Sequence, residues 1–151
     1  MEAIYFGTGG GWCGGGNGPH VLADLENGLW GCATPGGSNP NNTALDFEFV
    51  TALVKGFSNG FGLKGGDATD GGLKLLYQGP RPPGYQPMHK TGGIILGVGG
   101  DNVAHGENIP GSSIGTFLEG ALTAGATSDD VDNKLQADIV SVGFGRASKK
   151  N

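Results

Sequence analysis

Residues 45–55, "LDFEFVTALVK", decide the class of fold. Leu45, Phe47, Phe49 and Leu53 fall on one side of a period-two repeat, Asp46 and Glu48 on the other. Side chains that alternate in this way belong to a half-buried β-strand. A helix would repeat its apolar residues every three to four positions, and only residues 128–141, "SDDVDNKLQADIVS", do so. There Val131, Leu135 and Ile139 stand four apart. Ser128 is placed to cap the helix, and Asp129 and Asp130 suit its positive end.

Outward from 45–55, strand-like runs recur at 2–6, 20–30, near 61–64, 73–78, 92–98 and 116–123. Gly-rich and Pro-rich turns separate them. About seven strands and one short helix predict an all-β fold, a β-sandwich or a barrel. Gly supplies 33 of the 151 residues, against a usual share of roughly 7%. With no Gly-X-Y period, these glycines serve tight turns and not a collagen helix. The hydrophobic share of 36% predicts a thin core. No internal repeat or boundary divides residues 1–151, which read as a single unit. The loop 78–90, "QGPRPPGYQPMHK", is too rich in Pro for a central strand.

The net charge of −5 offers nothing to nucleic acid or to an anionic membrane surface. No apolar run approaches the ~20 residues that cross a bilayer. "MEAIYFGTGGG" lacks the basic and apolar parts of a signal peptide and reads as starting inside a strand. Cys13 and Cys32 do not have metal-site spacing, and His20, His89 and His105 form no evident site with them. A disulfide and two half-buried thiols both remain open. The sequon Asn41-Asn42-Thr43 fits secretion.

Three stretches could carry chemistry. In "HVLADLENGLW", residues 20–30, an unbroken strand would put Val21, Ala23, Leu25 and Leu29 on one face. His20, Leu22, Asp24, Glu26 and Trp30 would share the other. Asp24 and Glu26 would then lie about 7 Å apart, close enough to raise a pKa unless a cation or ligand lies between them. A solvent-facing sheet edge is the plainer alternative. In "LGVGGDN", residues 96–102, Gly99 and Gly100 permit close backbone approach beside Asp101, or simply make a turn. "GSSIG", residues 111–115, has the spacing of a nucleophile elbow, but its strand–turn–helix context is missing and a Gly/Ser loop fits better. Two carboxylates with an exposed Trp12 would suit a glycosidase.

These phrases carry a resemblance. "MEAIYFG", "GNGPHVLADLENGLW", "FVTALVKG", "GYQPMHKTGGIILGVGGDN" and "GTFLEGALTAGATSDDVDNKLQADIV" resemble, in order, the C-terminal part of the catalytic domain of glycoside hydrolase family 54 α-L-arabinofuranosidases. The resemblance implies an incomplete jelly-roll sandwich of the legume-lectin and glucanase kind. It implies a secreted, retaining enzyme that removes terminal α-L-arabinofuranosyl groups from arabinoxylan or arabinan. The family's nucleophile falls on Glu26 and its acid/base on Asp101. Its sugar-contacting positions fall on Met1, Trp12, Asp24, Asn27 and Gly100. This chemistry needs no cofactor and no metal.

There are departures. The loop after Trp12 is about one residue shorter, Cys13 and Cys32 stand where no Cys is expected, and His20 replaces a frequent Trp. The family's vicinal disulfide would lie outside this chain, so a further segment of the domain is expected to complete the pocket. A carbohydrate-binding sandwich without turnover, or an inactive fragment, is the alternative reading.

Overall fold

A computed structural model describes residues 3–7, 19–25, 29–31, 42–85, 93 and 115–145. The strands are β1 (Ala3–Gly7), β2 (His20–Asp24), β3 (Leu29–Trp30), β4 (Val50–Phe57), β5 (Gly60–Asp67) and β6 (Lys74–Gly79). A helix, α1 (Asp129–Val142), follows. The strands form two antiparallel sheets, ordered β1-β2-β3 and β4-β5-β6. The expected all-β architecture with one short helix is therefore observed. The run 92–98 lies outside the described residues except for Gly93.

One core joins the two sheets. Val21 and Ala23 from the first, with Leu25 just past the end of β2, meet Phe61, Leu63 and Leu76 from the second, and Leu45 and Tyr85 close the cluster. Each fully buried Leu or Phe contributes about 2 kcal/mol by leaving water. Phe61 also stacks on Tyr77, ring centroids 4.5 Å apart. Glycine makes close approach possible in this core. A Cβ on Gly65 would collide with Leu45 Cδ1 and come within 3.2 Å of Leu76 Cδ1.

Gly31 is bound by two constraints. Its φ of +102° suits glycine alone, and a Cβ there would lie 2.5 Å from Leu63 Cδ1. Gly31→Ala is expected to cost about 2 kcal/mol through overpacking and backbone strain. Thermal unfolding monitored by circular dichroism reads this as a lowered Tm.

The structure revises four sequence expectations. First, residues 20–30 are not one strand. β2 ends at Asp24, and the chain returns antiparallel with Ala23 opposite Trp30 and Asp24 opposite Leu29. Directly paired residues share a face, whereas positions seven or five apart on one strand would not. Trp30 therefore joins Ala23 on the core side, and Leu29 joins Leu22 on the other. Asn27-Gly28 between the strands is a strong hairpin dipeptide, a signal the period-two reading overrode.

Second, the strand expected over 45–55 begins only at Val50, opposite Asp67. Beyond Asp67 the partner strand turns away: Thr69 N and Oγ1 both donate to Asp67 Oδ1, at 2.8 and 2.7 Å. Beside residues 45–49 the ladder gives way to isolated bonds, Ala68 N to Phe49 O at 3.0 Å and Leu45 N to Pro19 O at 2.8 Å. Leu45 is buried, Phe47 is exposed, and Val50, Ala52 and Val54 supply the core side in place of Leu53. Third, residues 116–123 form no strand and lie exposed throughout.

Fourth, α1 is rotated from its expected face. Ser128 does cap it, its Oγ accepting from Val131 N at 3.3 Å, and Gly143 ends it with φ +77°. Yet Val131 and Leu135 are exposed, and the buried side chains are Asp132 and Gln136. The reason lies in the sheet beneath. Lys55 and Lys64 rise from β4 and β5, and backbone carbonyls of Asp67 and Gly71 are presented beside them. Buried cations and carbonyls need a carboxylate and an amide, and that need outweighs the burial of a Val and a Leu.

Candidate active site

Of the seven positions marked by the sequence, the described residues include only Asp24. Met1, Trp12, Glu26, Asn27, Gly100 and Asp101 lie outside them, as do Cys13, Cys32, His89 and His105. Asp24 closes β2, the central strand of its sheet, between Ala3 of β1 and Leu29 of β3. It is half-buried. By the strand period it lies on the side of Leu22, which packs against Tyr5 and Leu29 and faces away from the inter-sheet core. In sequence, Glu26 and Asn27 fall in the four-residue connection between Asp24 and Leu29. β2 ends at Asp24, so the continuous strand that would have put Asp24 and Glu26 on one face is not formed.

The carboxylates of Asp129 and Asp132 serve the fold. Lys55 Nζ donates to Asp132 Oδ2 at 2.5 Å, and Lys64 Nζ reaches Asp132 Oδ2 at 2.7 Å and Asp129 Oδ1 at 2.6 Å. Thr127 Oγ1 donates to the other Asp132 oxygen. Burial alone would raise the Asp132 pKa, but the hydrogen bonds from Lys55, Lys64 and Thr127 outweigh it and lower it to about 2. Burial likewise lowers the Lys64 pKa, and its bonds to Asp129 and Asp132 together raise it above the ordinary value. A carboxylate so held keeps its charge and cannot act as a proton donor.

Sequence reading missed this group. Its signal was a lone Lys in each of two apolar strands, "VTALVKGF" and "GFGLKGGD", set against the acidic start of the helix.

An open groove is lined by Asp46, Phe47, Glu48, Phe49, Asp67, Thr69, Phe144 and Gly145. Phe49 and Phe144 stack across it at 5.7 Å. The hydroxyl and then the backbone N–H of Thr69 hold the Asp67 pKa below its usual value, so Asp67 is not a general acid either. Among the described residues no three His, Cys, Asp or Glu side chains gather as a metal site requires. No helix of the described residues is long and apolar enough to cross a membrane.

The fold is that of a glycoside hydrolase domain. Over 95% of the chain it superposes on a family 54 α-L-arabinofuranosidase, a Glu-to-Gln variant soaked with 4-nitrophenyl α-L-arabinofuranoside, at 40% identity and a TM-score of 0.79. An arabinofuranosidase complexed with arabinofuranosyl-α-1,2-xylobiose superposes equally widely, at 40% identity and a TM-score of 0.77. Each match covers 29% of the solved chain.

Residues 1–145 match the family model described as alpha-L-arabinofuranosidase B, catalytic, and the chain belongs to that family. It is 46% identical over 147 residues to an arabinofuranosidase/β-xylosidase of Trichoderma koningii, covering 95% of this chain. It is 45% identical over 152 residues to alpha-L-arabinofuranosidase B of Emericella nidulans, covering 98%. The chain spans about 28% of the length of these relatives.

Proposed function

We propose that this chain is the carboxylate-bearing part of a secreted, retaining α-L-arabinofuranosidase acting on terminal arabinofuranosyl groups of arabinoxylan or arabinan. Family membership over residues 1–145 carries the proposal. Relatives solved with an arabinofuranoside and with an arabinofuranosyl xylobiose support the substrate class.

The mechanism proposed is double displacement. Glu26 attacks C1 of the arabinofuranose while Asp101 gives its proton to the leaving oxygen. Asp101, now a base, takes a proton from water as that water releases arabinose and frees Glu26. The two carboxyl groups must stand about 5–5.5 Å apart, and Asp101 must hold its proton at working pH. Nearby Glu26 charge favours that state. Asp24 and Asn27 hold sugar hydroxyls, Trp12 stacks on the ring, and Met1 and Gly100 complete the contacts. In this reading further polypeptide of the same family completes the pocket, which the 28% share of the relatives' length spanned by the chain supports.

Asp101→Asn in the protein carrying the whole catalytic domain tests the assignment. Hydrolysis of arabinoxylan oligosaccharides should fall about 10²–10⁴-fold, the usual worth of general acid catalysis. Release of 4-nitrophenol, which leaves without help, should be less affected in the glycosylation step. Equal losses on both substrates in single-turnover glycosylation would remove Asp101 from the acid role.

A further inference from the structure

The groove between Asp46, Glu48, Asp67 and the Phe49–Phe144 pair takes no part in the reaction proposed above. It lies toward the opposite end of β2 from Asp24. Leu45 N donates to Pro19 O at 2.8 Å, so the segment that enters the groove starts beside the entry to β2, whereas Asp24 closes that strand. Five residue steps of strand put roughly 16 Å between Pro19 and Asp24. The groove volume of about 470 Å³ falls in the range of small-ligand sites, roughly 300–1,000 Å³.

Its walls are fixed by packing. Phe49 and Phe144 lie nearly parallel, 15° apart. Gly145 lets the chain pass over the Phe49 ring: its φ is +71°, and a Cβ there would lie 2.9 Å from Phe49 Cε2. Phe47, also in the lining, keeps its ring 38% exposed. Thr69 donates twice to Asp67 Oδ1 and so holds that carboxylate in one orientation. Among the described residues, none that lines the groove is Lys or Arg.

We propose that this groove is an accessory binding site for the neutral backbone of a xylan-type polysaccharide, remote from the bond that is cut and selective against uronate-bearing chains. An exposed ring offers a flat apolar face to the C–H face of a sugar. Carboxylates beside it accept hydrogen bonds from sugar hydroxyls, and such bonds to a charged acceptor are the stronger kind. Three carboxylates with no cation among them repel a further carboxylate, which excludes glucuronate side groups. A site for a cation would aim several ring faces at one point. Here two of the three rings turn their faces to each other. The ligand class rests on the reading that the chain belongs to an enzyme of arabinoxylan.

The test uses the 151-residue chain with xylohexaose and with a xylo-oligosaccharide carrying glucuronic acid. Xylohexaose should shift the backbone amide NMR signals of residues 46–49 and 67–69. The uronate-bearing ligand should bind at least about fivefold more weakly. Phe47→Ala, at an exposed position, should weaken xylohexaose binding at least about fivefold. Asp46→Asn with Glu48→Gln should bring the two ligands within about twofold of each other. Absence of those shifts, unchanged affinity in Phe47→Ala, or equal wild-type affinity for both ligands each overturns the proposal. So does tighter binding of tetralysine than of xylohexaose, because the groove is then a cation site. Arabinofuranoside hydrolysis by the complete catalytic domain without this binding removes the groove and leaves the catalytic reading. Binding with the expected selectivity, in a protein that hydrolyses no arabinofuranoside, leaves the groove standing and removes the catalytic reading.

Discussion

Glu26→Ala in the complete catalytic domain is expected to lower kcat on 4-nitrophenyl α-L-arabinofuranoside by at least about a thousandfold. Loss of the nucleophile removes the covalent path altogether, and water must then attack without a positioned carboxylate. Azide fits the space left by the truncated side chain and needs no proton removed. Added azide should therefore restore turnover and yield an arabinofuranosyl azide of inverted configuration. That product separates a nucleophile from a residue that only binds sugar. Asp24→Asn, one position before the hairpin connection, should raise KM and lower kcat without any azide rescue. If azide rescues the Asp24 variant and not the Glu26 variant, the two roles are reversed. If neither variant changes turnover, both carboxylates are structural.

Local pattern disclosed the two-sheet class, because alternation and Gly-rich turns act over a few residues. It disclosed the start of α1 for the same reason: Ser128 is a local signal and performs as the N-cap. Faces were less legible, since they depend on what lies opposite. Trp30 changes sides because the chain reverses after Asp24, and Asn27-Gly28 was the only local sign of it. Phe47 stays exposed because β5 turns away at Asp67, twenty positions later in sequence. The rotation of α1 follows from Lys55 and Lys64, more than sixty positions upstream of Asp132. Of the candidate site, only Asp24 can be compared with the structure. The rest came from resemblance, because no periodicity distinguishes a nucleophile from a solvated acid.

Asp132→Ala should be the most damaging substitution outside the site. Lys55 is 7% exposed and Asp132 1%, so the pair has been taken out of water. Their attraction and the bonds from Lys64 and Thr127 offset the desolvation. Removing the carboxylate leaves a buried ammonium facing a second one, and the expected cost is about 3–5 kcal/mol. Chemical denaturation should show this as a lower midpoint with the slope unchanged. Lys55→Met combined with Asp132→Leu removes both charges and should recover much of the loss, because two apolar groups of similar size need no partners. A double variant as unstable as Asp132→Ala would mean that shape, not charge, sets the cost.

The pH dependence has a defined sign at each end. The folded Asp132 pKa, about 2, lies below its ordinary 3.8. Its stabilisation is therefore present above about pH 4 and is lost as pH falls toward 2. Lys64 is raised above 10.5, so its contribution is present below that value and is lost as pH climbs through the folded pKa. Wild-type stability should fall at both extremes, and the Lys55→Met, Asp132→Leu variant should lose most of the acid-side slope. Retention of that full slope in the double variant would assign the acid sensitivity to other carboxylates. The helix would then be held to the sheet by packing and not by its buried charges.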